Sequence, residues 1–294
     1  MKILLLGANG QVGYQLRRSL ISLGDVKLCT RLEADLENSE QLVDLIQKYN
    51  PSVIVNASAY TAVDEAEKEE EKAFAINSRA VGIIASEAKK LDALLVHYST
   101  DYIFDGKKSE SYTELDKTNP LSVYGKTKLS GENEILASGC KHLIFRTSWA
   151  YSLRGKNFIK RIIRLAKERK ELKIISDQIG SPTSADFIAD VTAHCIVRHQ
   201  IQNNKSGIFN LTADGEVSWH SFAQFIIEEL SNKGESFEAM PENILPISTS
   251  EYPLPAQRPA YSKLNTEKIR QAFKLNIPHW RYHVKMMLDS YITK

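Results

Sequence analysis

The amino-terminal stretch MKILLLGANGQVG, residues 1–13, decides the fold. Residues 2–6, Lys2 followed by four apolar residues, have the length of a buried strand, and the chain then meets Gly7 and Gly10 before an amphipathic stretch that begins near Gln11 and contains Gly13. A glycine trio between a strand and a helix permits a tight turn and close backbone approach, and it leaves the free amides and partial positive charge of the helix end available to a pyrophosphate. Glycines in this context are the signature of a dinucleotide site, whereas glycines elsewhere are weak evidence. Gly7, Asn9, Gly10, Gln11, Val12 and Gly13 are therefore the first candidates for holding a nicotinamide cofactor.

The same alternation continues outward. Residues 26–29, 52–56, 93–97 and 143–147 read as further short buried strands separated by helical patterns, which predicts right-handed βαβ units and a doubly wound, Rossmann-type α/β sheet. A dinucleotide-binding domain is expected over residues 1–151, with a strand near 207–212 returning to it. A smaller α/β lobe for the substrate is expected over 152–294, its boundaries interleaved with the first. Within that lobe residues 157–170, 184–198 and 218–231 read as helices. Pro246, Pro253, Pro255 and Pro259 predict a shaped loop instead of regular structure.

Composition narrows the function. With 38 basic and 36 acidic side chains in 294 residues the formal charge is +2, so there is no basic field on the scale that nucleic acid requires. The one dense charge run, residues 65–72, mixes both signs and reads as a solvated helix face. Cys29, Cys140 and Cys195 are few, odd in number and far apart, which argues against a disulfide framework and for a reducing cytoplasm. No stretch approaches the length needed to span a membrane.

Reductive chemistry is suggested by Tyr124 and Lys128. Four positions apart, they share one face of a helix, where an ammonium lowers a phenol's pKa and lets it pass a proton near neutrality. Thr100, closing the fourth strand, supplies a hydroxyl for a substrate oxygen. The second strand runs out at Thr30-Arg31 without an acid for the ribose 2′-hydroxyl, so Arg31 is read as a partner for a 2′-phosphate and the cofactor as NADPH, with NADH accepted. Asp35 and Leu36 are placed to flank the adenine. Ala57, Ala59 and Tyr60 follow the third strand, at the sheet edge where ligands of open α/β folds bind.

Several segments taken together resemble one family. GANGQVG from Gly7, NASAYTAVDEAE from Asn56, AINSRAV from Ala75, STDYIFDG from Ser99, PLSVYGKTKLSGE from Pro120, RTSWAYS from Arg146, DQIGSPTSADFIAD from Asp177 and EYPLPAQRPAYSKL from Glu251 are similar to the extended short-chain reductases that act as dTDP-4-dehydrorhamnose reductases. The three-and-three glycine spacing fits this group. The resemblance implies reduction of the 4-keto group of dTDP-6-deoxy-L-lyxo-4-hexulose by NADPH or NADH. In that scheme Tyr124 donates the proton, Lys128 is its electrostatic partner and ribose anchor, and Thr100 bonds to the substrate oxygen. It further implies substrate contacts from Thr61, Asp101, Tyr102, Trp149, Asn157 and Arg258, the last two toward the diphosphate. Magnesium bridging two subunits occurs in the family, but Gln15 stands where a carboxylate would serve such a bridge, so magnesium is doubtful and both a monomer and a homodimer stay open. A reductase or epimerase acting on another nucleotide-linked ketosugar, and a non-catalytic NADP-binding regulatory subunit, are the competing readings.

Overall fold

A computed structural model of the chain describes residues 1–201 and 206–292. Six parallel strands form the central sheet: β1 (Lys2–Leu6), β2 (Asp25–Cys29), β3 (Val53–Asn56), β4 (Leu94–Thr100), β5 (Lys141–Thr147) and a returning strand, Gly207–Asn210. From one edge the order is Gly207–Asn210, β5, β4, β3, β1, β2, a doubly wound α/β arrangement. The sheet is covered on both faces, and β1 shows why its sequence after Lys2 is an unbroken apolar run. Ile3 and Leu5 pack on one side with Leu16 and Leu20 of helix α1 (Gln11–Ile21) and Ile188 of helix Ala185–Ile201. Leu4 and Leu6 pack on the other with Leu42 and Ile46 of α2 (Ser39–Tyr49) and Ile84 of helix Ala80–Lys90. A strand buried on both faces has no polar position to alternate with.

A second core lies beyond β5. Helices Phe158–Glu168, Trp219–Ser231 and Trp280–Ile292 enclose Ile159, Ile163, Phe222, Ile226, Trp280 and Leu288. Between the two cores the chain crosses more than once. Helices Ala185–Ile201 and Glu267–Phe273 contribute Ile188, Cys195, Ile269 and Phe273 to the sheet's own core.

The proline-rich segment departs from the sequence expectation of a loop throughout. Pro246 lies in a strand, Ile244–Ile247, paired in parallel with Leu172–Ile175. Proline is tolerated in this two-stranded ladder because each strand has an edge that requires no amide donor. Beyond it the backbone is irregular as far as the bridge at Tyr261, apart from a short turn at Thr249–Glu251. Among the described residues no helix is long and apolar enough to cross a membrane.

Candidate active site

The turn after β1 brings the glycines into a cradle. Gly7 has φ +75°, and a Cβ there would lie 2.7 Å from the Ala57 carbonyl carbon and the Ser58 amide. A Cβ on Gly13 would stand 2.0 Å from the Gly7 carbonyl oxygen, so the first turn of α1 reaches the strand only because that side chain is missing. No side chain caps α1 and no acid occupies its first turn, which leaves its amides and its positive end free for an anion. Arg17 holds the turn from below, bonding the Ala8 carbonyl at 2.9 Å and Asn9 Oδ1 at 2.6 Å.

A cleft of about 590 Å³ opens over this turn at the carboxyl ends of β1, β2 and β3. It gathers Gly7, Asn9, Gly10, Arg31, Asp35, Leu36, Ala57, Ala59, Tyr60 and Thr61, residues far apart in sequence. Gln11, Val12 and Gly13 are not on its wall. Val12 packs into the core, Gly13 is buried, and Gln11 accepts a hydrogen bond from Asn157 at 3.2 Å. Arg31 reaches the cleft already paired, at 2.6 Å from Glu37 and 3.4 Å from Asp35. Lys72 also lines it, so the mixed-charge run is not uniformly a solvated face. Nothing in the local pattern distinguished Lys72 from its charged neighbours.

β4 extends beyond β3, and its last residue, Thr100, is buried at the rim of the sheet. The Thr100 hydroxyl donates to Asp101 Oδ1 at 3.1 Å and accepts from the Tyr102 amide at 3.2 Å. Asp101 is buried with Oδ2 unpartnered, and burial pushes its carboxyl up to about 7. Above this rim lies helix Val123–Ser138, capped by Ser122, whose hydroxyl accepts from the Gly125 amide at 3.2 Å. It presents Tyr124 to Thr100 and to the ring of Tyr102, 5.7 Å away and edge-on.

The electrostatics differ from the sequence expectation. Tyr124 is pushed up to about 12 by burial, with Thr100 opposing and Asp101 assisting, instead of being lowered by Lys128. Lys128 lies on the same helix but is turned down to the strand, 2.6 Å from the Tyr98 carbonyl and 3.1 Å from His97 Nε2. Burial pulls its ammonium down to about 8. Desolvation therefore governs both members of the pair. Asn77, in a π-turn at Ala75–Arg79, ties the two sides together: it clasps the Tyr60 backbone at both ends and donates to Thr127 Oγ1 at 3.0 Å. Neither Asn77 nor His97 was singled out by residue type or spacing.

Beside Tyr102 stands Arg258, whose fork grips Asp64 at 2.8 and 3.1 Å. Arg258 lines a second cleft of about 590 Å³ together with Phe158, Arg161, Lys173, Trp219 and Tyr252. Trp149 lies outside that wall. Its backbone adopts φ +46°, and its ring stacks on Trp219 with centroids 3.4 Å apart. Asn157 is also set back: Oδ1 caps helix Phe158–Glu168, and Nδ2 is shared between the Ser152 carbonyl and Gln11. Its polar atoms are committed to structure, as the start of a helix demands. Trp219, absent from the sequence candidates, is the member of that stack that lines the cleft.

Comparisons with known proteins agree with this geometry. The family described as the RmlD substrate binding domain matches residues 1–293. The chain is 44% identical to dTDP-4-dehydrorhamnose reductases of Burkholderia thailandensis, covering all of both chains, and of Escherichia coli K12, covering all of this chain and 99% of the relative. A solved dTDP-4-dehydrorhamnose reductase of Clostridium acetobutylicum superposes with a TM-score of 0.90 at 34% identity, over 99% of this chain and all of that one. That of Bacillus anthracis, solved in complex with NADP, superposes at 0.89 and 33% identity, over all of this chain and 99% of the other. Full-length similarity at these levels, on a six-stranded parallel sheet with a glycine cradle, assigns the chain to the RmlD family of dTDP-4-dehydrorhamnose reductases.

Proposed function

We propose that the protein reduces the 4-keto group of dTDP-6-deoxy-L-lyxo-4-hexulose to give dTDP-L-rhamnose, using NADPH and accepting NADH. What supports this reading is the end of β4, where Tyr124 of helix Val123–Ser138 faces Thr100 and Lys128 follows one turn further along the same helix, together with the glycine cleft and the basic, aromatic second cleft. The cradle left by Gly7, Gly10 and Gly13, with an uncapped helix end, suits a dinucleotide pyrophosphate, and Arg31 and Lys72 are the cations nearest to where a 2′-phosphate would be recognised. Bound there, the cofactor supplies the hydride.

The chain's own residues do the rest. Thr100 and Tyr124 hold the substrate oxygen. Tyr124, which keeps its proton because burial raises it to about 12, gives that proton to the alkoxide forming at C4. Lys128, one turn further along, is the cation that stabilises the phenolate that remains. Arg258, anchored by Asp64, and Arg161 and Lys173 supply positive charge for a diphosphate, while Trp219, Phe158 and Tyr252 offer flat surfaces for a base. Three free, buried cysteines support a reducing compartment as the place of work.

The test is NADPH oxidation with dTDP-6-deoxy-L-lyxo-4-hexulose, compared with its UDP counterpart and with NADH. Turnover confined to the dTDP sugar is expected. Cofactor binding without oxidation of either sugar would refute the reading.

A further inference from the structure

Arg31 reaches the cofactor cleft with its charge already answered. Nη2 lies 2.6 Å from Glu37 Oε2, and Nε lies 3.4 Å from Asp35 Oδ2. Glu37 is placed by its backbone. Its amide donates to Asp35 Oδ1 at 3.1 Å, the Asp35 amide donates to Gln41 Oε1 at 3.2 Å, and the Asn38 amide donates to the Asp35 carbonyl at 2.9 Å. A tight turn after β2 thus sets Glu37 immediately before Asn38, the cap of α2. Lys72, the other cation on the cleft wall, lies 3.8 Å from Glu69 and shares a neighbouring depression with Glu37 and Glu69. Arg31 and Lys72 are therefore set among Asp35, Glu37 and Glu69, two cations among three carboxylates. NADPH brings a phosphomonoester dianion into that field, whereas NADH brings a neutral hydroxyl.

We propose that Glu37 is a specificity-determining residue: its carboxylate competes with the 2′-phosphate of NADPH for Arg31 and so keeps the preference for NADPH over NADH small. This rests on the cofactor cleft of the proposed function and deepens it, by naming the group that lets NADH be accepted. The Arg31 side chain is 67% exposed, and an ion pair so open to water exchanges its partner readily. The phosphate therefore displaces Glu37, but at a cost of roughly two- to fivefold in affinity, the range of an exposed pair. NADH leaves the pair intact and bears no such cost. A different role for Glu37, holding Arg31 in position for the phosphate, has the opposite sign: removing the carboxylate would then weaken NADPH binding.

The test is fluorescence titration with NADPH and with NADH, in the absence of any sugar. Because no sugar takes part, a failed turnover assay refutes the proposed function and is a separate outcome from a failed affinity ratio. Glu37→Gln keeps the side chain's length and an acceptor oxygen while removing its charge. At low salt it should bind NADPH roughly two- to fivefold more tightly with NADH affinity unchanged, and the gain should shrink as salt screens the pair. Placed in an Arg31→Ala background, the same substitution should add nothing, because the partner it releases is gone. NADPH affinity that is unchanged or weaker in Glu37→Gln would overturn the inference. An equal gain with both cofactors, or a full gain in the Arg31→Ala background, would overturn it as well.

Discussion

Replacing Gly13 by alanine should weaken the fold, whereas replacing Gly10 should weaken only cofactor binding. In Gly13→Ala the new methyl would stand 2.0 Å from the Gly7 carbonyl oxygen and 2.8 Å from its carbon, more than an ångström inside ordinary contact. Both atoms are backbone, so relief requires α1 to slide off the end of β1. Overpacking costs about 1–3 kcal/mol, and a rigid neighbour places this case toward the upper end, beyond the roughly 1 kcal/mol that alanine returns inside a helix. Gly10 has φ −67°, open to any residue, and its Cβ would lie 3.4 Å from the same oxygen, an ordinary contact. Its stability should stay within about 1 kcal/mol, because the weaker helix cap and the stiffer unfolded chain offset each other. The added methyl would nevertheless sit on the cofactor cleft's wall and lower NADPH affinity. Urea denaturation followed by circular dichroism, paired with NADPH titration, separates the two effects. An unfolding midpoint for Gly13→Ala equal to that of the unmodified protein would refute the argument that close approach fixes this glycine.

Three further outcomes are expected. Tyr124→Phe should lose turnover by roughly 10²–10⁴-fold with NADPH affinity near normal, since only the donated proton is removed; retained turnover would assign the proton to another group. Glu132→Ala should cost about 3–5 kcal/mol in urea denaturation because it strands Arg146, which is 4% exposed against the carboxylate's 1%, whereas Asp190→Ala, at an exposed pair with Arg18, should cost about 1 kcal/mol or less. Asp101 has a folded pKa raised from 3.8 to about 7, so its contribution to stability is intact below about 4 and is lost as pH rises through about 7. Asp101→Asn should therefore gain on the unmodified protein across that window, by a few kcal/mol at most, and a difference that does not vary with pH would show that Asp101 ionises freely.

Much of this architecture was legible in local pattern. β1 begins at Lys2 and ends at Leu6 as its apolar run requires, and the first-turn glycines stand where a dinucleotide fold needs them. The proline-rich segment was misread in part, because a two-stranded ladder with free edges tolerates Pro246 where a central strand would not. Asn157 and Trp149 were chosen by chemical type, and type says nothing of prior engagement. One caps a helix, and the other lies under Trp219.

By itself the sequence determined the strand and helix periods, the glycine cradle and the pairing of Tyr124 with Lys128 on one helix. All of these depend on neighbours within a turn or a pleat. Tertiary structure alone decided the charges. Desolvation raises Tyr124 and lowers Lys128, Arg31 reaches the cleft already bonded to Glu37, and Lys128 meets His97 only because helix Val123–Ser138 packs against β4. Solvent exclusion and partners brought from distant segments set these energies, and neither is a property of local sequence.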